Sequence, residues 1–139
     1  MMLSDSDRDV FAAMADVIIP AWERMPSAKS VGVHRSLLDA VLLARPDLVD
    51  GVTSAIATCR DRAPSEGVNQ LFRSGKAAFD AFTLAATGAY YMDPTVRELL
   101  GYPGQVSPPY DPMETPDYLT DGLLERVTRR GAIYKSTPR

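Results

Sequence analysis

Five prolines fall within fourteen residues of this chain, at Pro103, Pro108, Pro109, Pro112 and Pro116. Proline has no N–H to donate and cannot continue a helix or sit inside a sheet. Residues 102–116 are therefore predicted to be extended and turned. A segment of that kind makes few internal hydrogen bonds and has to be held by something else. Earlier in the chain, single prolines act as punctuation. Pro20 ends a helix, Pro46 and Pro94 each suit the first turn of one, and Thr115-Pro116-Asp117 restarts one.

Between these marks the apolar residues recur at helical spacing. Ser4 or Ser6 caps a first helix carrying Val10, Phe11, Met14, Val17 and Ile18 inward. The loop AWERMPSAKSVG follows, without a clear period. A second helix from about Val33 to Ala44 buries Leu37, Leu38, Val41 and Leu42, with His34 exposed in its first turn. A third buries Leu48, Val49, Val52, Ala55, Ile56 and Cys59. DRAPSEG reads as a loop, and VNQLFRSG as a short helix or turn carrying Leu71 and Phe72 inward. The fourth helix, about Lys76 to Tyr91, has Phe79, Phe82, Ala86, Ala89 and Tyr90 on one side. Its small residues Ala81, Ala85, Gly88 and Ala89 allow close approach, which makes it the candidate centre of the bundle. Asp93 caps a short helix anchored by Val96, Leu99 and Leu100 and stopped by Gly101. A last helix carries Leu119, Leu123, Leu124 and Val127 inward and ends at Gly131.

The expected fold is all-α. It is a compact irregular bundle of about five to six helices, with a long proline-rich extended segment before the C-terminal helix. One domain spans residues 1–139, with a tail at 132–139.

Charge and residue usage narrow the function. A net charge of −3 and a pI near 5.1 argue against nucleic acid, because a phosphate backbone calls for a basic face. One cysteine, Cys59, and one histidine, His34, make a structural zinc site improbable and exclude an internal disulfide. No apolar run is long enough for a membrane span. The N-terminus MMLSDSDRD has no signal-peptide character, so a cytoplasmic location is expected. There is no Gly-rich phosphate loop, HExxH or CxxC. No catalytic residue, metal ligand or cofactor-binding residue is expected. Tyrosine beside proline makes a rigid amphipathic contact surface, which marks Tyr102 and Tyr110. Trp22 stands out in a predicted loop, either as a lid over the core edge or as a partner contact.

Three stretches together, ADVIIP at 15–20, TGAYYMDPTVRELLGYPG at 87–104 and the PPY at 108–110, resemble the gluconate 2-dehydrogenase subunit 3 family. Its members are small subunits of flavin-dependent dehydrogenases of the glucose-methanol-choline (GMC) type. The resemblance spans Leu3 to about Tyr110. It implies a non-catalytic chain that binds and stabilises a large FAD-bearing catalytic subunit as a heterodimer or higher hetero-oligomer. FAD would lie in that partner. The matched residues Tyr102, Pro103, Pro108, Pro109 and Tyr110 are then expected to face it, with Trp22 added from its loop. No twin arginine precedes an apolar stretch, which departs from the exported members. Against this stand a stand-alone ligand-binding helical module and a small enzyme with His34 as base.

Overall fold

The computed structural model describes residues 3–107 and 121–133. Among these the fold is all-α, with seven α-helices and no strand. The chain groups into two units, residues 1–104 and 105–139.

Six helices build the first unit: α1 (Asp5–Ile18), α2 (Leu38–Ala44), α3 (Val49–Cys59), α4 (Pro64–Ser74), α5 (Lys76–Met92) and α6 (Pro94–Leu99). A wide helical turn, Val33–Leu37, leads into α2, and a 3₁₀ turn, Pro46–Leu48, leads into α3. Ser4 caps α1 in a reciprocal box. Its hydroxyl accepts from the Asp7 N–H at 3.2 Å, and the Asp7 carboxylate accepts from the Ser4 N–H at 3.0 Å. The buried face of α1 is Phe11, Ala12, Met14 and Ala15. Val17, expected inside, is exposed, while Ile18 beside it packs on the core.

Helix α5 is the centre, and α1, α2, α3, α4 and α6 all pack on it. Phe82 meets Phe11 edge-on at 5.4 Å in the middle of the core, and both rings are fully buried. The α3–α5 crossing is close because both helices offer minimal side chains. A Cβ placed on Gly51 would lie 2.4 Å from the Cβ of Ala81. Gly51 therefore costs α3 some helix propensity and gives the contact its distance.

Several expectations are corrected. Pro64 opens a full helix of 11 residues, where a loop and a short turn were expected. Proline at the first helical position needs no N–H partner, so the helix starts inside DRAPSEG. Leu71 is buried, but Phe72 is exposed and leans edge-on against Phe79 at 5.4 Å. Leu100 also faces solvent, since α6 already ends at Leu99. His34 is buried. Gly32 takes a left-handed conformation (φ 76°) and Arg35 leaves helical geometry (φ −99°, ψ −134°), so the turn swings His34 inward beside Val33.

In the second unit, α7 (Glu125–Arg130) is short and ends at Gly131 with φ 72°. Residues 121–124 bend and turn, so α7 is not the tail of one long helix. Leu123 and Val127, expected inward, are exposed. Leu119 and the start at Thr115-Pro116-Asp117 lie outside the described residues, as does the tail from residue 134.

Candidate partner surface

The loop from Pro20 to Gly32 is tied down along its length. Ile19 donates its N–H to the Ala15 carbonyl at 2.9 Å, completing the last turn of α1. The Ile19 carbonyl accepts from the Ala28 N–H at 3.0 Å, and Ala28 is fully buried. The Asp16 carboxylate accepts from the Lys29 N–H at 2.6 Å. From the far side, the Tyr90 hydroxyl donates to the Pro26 carbonyl at 2.7 Å. That bond explains how a tyrosine can be almost wholly buried without an unsatisfied hydroxyl.

At the loop tip, Trp22 and Met25 exchange backbone hydrogen bonds of 3.0 and 2.8 Å. Glu23, between them, takes φ 49°, a value uncommon for a residue with a side chain. Met25 packs inward on the core. Trp22 points out and is 73% exposed. Its indole is therefore no lid over the core edge. It is held in water by a turn closed by these two backbone bonds.

The second candidate region begins with α6. The Asp93 side chain accepts from the Val96 N–H at 3.0 Å, capping the helix, and Gly101 (φ 67°) turns the chain away. Tyr102 donates its N–H to the Arg97 carbonyl at 2.9 Å. The Arg97 guanidinium lies over the Tyr102 ring, 5.8 Å from its centre. A Cβ on Gly104 would lie 2.7 Å from Arg97 Nη2. The Gly101–Gly104 turn is thus wound over the Arg97 side chain. Tyr102 is 54% exposed and Pro103 is exposed. Pro108, Pro109 and Tyr110 lie outside the described residues.

One helix end links the two regions. Tyr90, in the last turn of α5, fixes the Trp22 loop, and α6 starts four residues later. That same turn exposes Tyr91 and Met92, which the sequence reading did not assign to the surface. The helical phase was the available signal. Tyr91 lies about 100° around the helix from Tyr90, and the two rings meet edge-on at 5.6 Å.

His34 lies at the start of the second helical region and makes few polar contacts through its ring. Its Nε2 faces the Arg35 Nε–H at 3.4 Å, and its Nδ1 is buried without a partner. Burial, followed by the Arg35 charge, lowers its pKa from 6.5. The cavity beside it, about 300 Å³, is lined by Asp5, Arg8, Asp9 and Arg35. Cys59 is buried, and burial raises its thiol pKa, as suits an inert core cysteine. Among the described residues no three His, Cys, Asp or Glu side chains gather as metal ligands, and no helix is long and apolar enough to cross a membrane.

No family model, no curated protein and no solved structure matches the chain.

Proposed function

We propose that this chain is a non-catalytic small subunit that binds and stabilises a larger FAD-dependent oxidoreductase of the GMC type, acting on sugars or other hydroxylated compounds. One observation carries the reading. Two segments that bear the family resemblance both bond to one loop. Asp16 of ADVIIP holds Lys29, and Tyr90 of TGAYYMDPTVRELLGYPG holds Pro26. Ahead of these points the loop lifts Trp22 into solvent. A large aromatic with a fixed backbone and little to lose on ordering is the type of side chain that dominates interfaces. Tyr102, held by Arg97, is a second such group.

In this reading the work of the chain is association. A partner that binds only the folded form stabilises it by mass action, and the reverse holds equally. An interface above about 2,000 Å² is expected for an obligate pair. FAD belongs to the large subunit. A cytoplasmic complex is part of the proposal.

Co-expression with a large GMC-type flavoprotein from the same organism tests the proposal. A tag on this chain should co-purify the flavoprotein with its FAD, and Trp22→Ala with Tyr102→Ala should lower that yield while the chain stays folded. Full flavin loading and activity of the large chain without this one would overturn it, as would oxidation of substrate by this chain alone.

A further inference from the structure

One side of α1 is left uncovered where α3 turns into α4. Val10 and Ala13 are half-buried there, and Met14 and Cys59 lie fully buried behind them. Together they floor a hollow of about 260 Å³. The floor is uncharged, since burial raises the Cys59 thiol pKa and only the neighbouring Arg62 charge opposes it. The rim carries Arg60, Arg62 and Asp9.

The two arginines are in different states. Arg60 reaches across to the start of α1, where it donates to Ser6 Oγ at 3.3 Å and pairs with the Asp7 carboxylate. Arg62 folds back and donates Nη1 to the Thr58 carbonyl at 2.6 Å. No carboxylate among the described residues pairs with Arg62. A cation without a carboxylate partner among the described residues thus stands at the mouth of an apolar hollow. Asp9 on the same rim repels any anion, and a dianion about twice as strongly as a monoanion, which favours a singly charged ligand.

We propose that this hollow binds a small amphipathic monoanion, a monocarboxylate with a short unbranched apolar tail. The tail lies on Val10, Ala13 and Met14, and the carboxylate pairs with Arg62. The volume sits just below the roughly 300 Å³ at which drug-sized pockets begin, so the ligand is a short chain. The site is independent of the partner surface, since it uses neither the Trp22 loop nor the Tyr102 turn.

Titration of the ¹⁵N-labelled full-length chain with acetate, butanoate and hexanoate tests it. Saturable amide shifts should centre on Val10, Ala13 and residues 59–63. Affinity should rise about four-fold per methylene until the hollow is full. Hexan-1-ol, with the tail but no charge, should bind at least ten-fold more weakly than hexanoate. Arg62→Gln should remove that difference, and Ala13→Leu, which fills the floor, should abolish binding. Hexanoate shifts that never saturate, that scatter over the surface, or that do not depend on tail length would overturn the proposal. The tail-length series needs no variant, so it decides the matter even where a substitution disturbs folding.

Discussion

Helix α5 and the Trp22 loop are both held firmly, but by different forces. Phe82, Ala85, Ala86 and Ala89 of α5 are fully buried, and apolar volume fixes them. The loop buries only Ala28 completely and is fixed by directional bonds, from Asp16, Ile19 and Tyr90. Packing of the first kind resists any change of volume. Fixing of the second kind leaves side chains at the tip free to face outward. The loop can therefore hold a large aromatic in water at a set angle, which the core cannot do.

The core of α5 is the more sensitive of the two regions. Phe82→Ala removes the ring that meets Phe11 and should destabilise the first unit by about 3–5 kcal/mol, read from the denaturant midpoint. Gly51→Ala is the sharper probe. Helix propensity alone would favour alanine by about 1 kcal/mol. The new methyl, however, would meet the Ala81 Cβ at 2.4 Å, and neither group can rotate away. Overpacking should win, with a net loss of about 1–3 kcal/mol. A stabilised Gly51→Ala variant would show that α3 and α5 do not approach this closely.

From the loop side, Tyr90→Phe keeps the ring and deletes one bond, to the Pro26 carbonyl. The expected loss is about 1 kcal/mol, since the carbonyl loses its buried partner. Amide exchange should quicken at residues 27–29 while amides of the α5 core stay protected. Equal quickening in both regions would mean that loop and core are one cooperative body.

The same division explains what was legible in the sequence. The core was legible because periodicity reports it: Phe11, Met14, Leu38, Val52, Ile56 and Phe82 all stand where helical spacing puts them. Misreadings came where one backbone angle or one proline overrode the period. Phe72 follows the buried Leu71 by about 100° of helix and so turns outward. His34 was expected outside, but Gly32 and Arg35 reverse its direction, and no periodic signal carries that. For the candidate surface, Trp22 was visible as an oddity in a loop, whereas the bonds from Asp16 and Tyr90 that fix the loop link distant parts of the chain. Tyr91 and Met92 were hidden by Tyr90, which had claimed the turn as core.

His34 tests whether the junction between loop and bundle depends on charge. Arg35 faces its ring, Arg8 holds its carbonyl at 2.9 Å, Lys29 adds a third positive charge, and Asp9 opposes them. The folded pKa is lowered, so the unfolded chain takes up the proton more readily. The associated stability is complete above the unfolded value near 6.5 and is lost as pH falls from there toward the lowered folded value. Denaturant midpoints should decline from pH 7 to pH 5, and His34→Gln should flatten that decline. An equal slope in the variant would place the acid sensitivity elsewhere, for instance at Asp7, whose pKa is lowered chiefly by its bonds to Ser4 and which therefore acts at lower pH.

Trp22→Ala should change stability least of all. The indole is 73% exposed, so its removal uncovers little surface, and both backbone bonds of the turn survive. A shift within about 0.5 kcal/mol is expected for the chain alone. Affinity for the proposed partner should fall by about 2 kcal/mol or more, roughly thirty-fold, as for other central interface aromatics. The contrast between these two numbers is the sharpest form of the comparison, because one substitution separates what the loop does for the fold from what it does for association. If Trp22→Ala instead lowered the denaturant midpoint as much as Tyr90→Phe, the indole would be part of what holds the loop, and the tip would no longer be a surface kept apart for a partner.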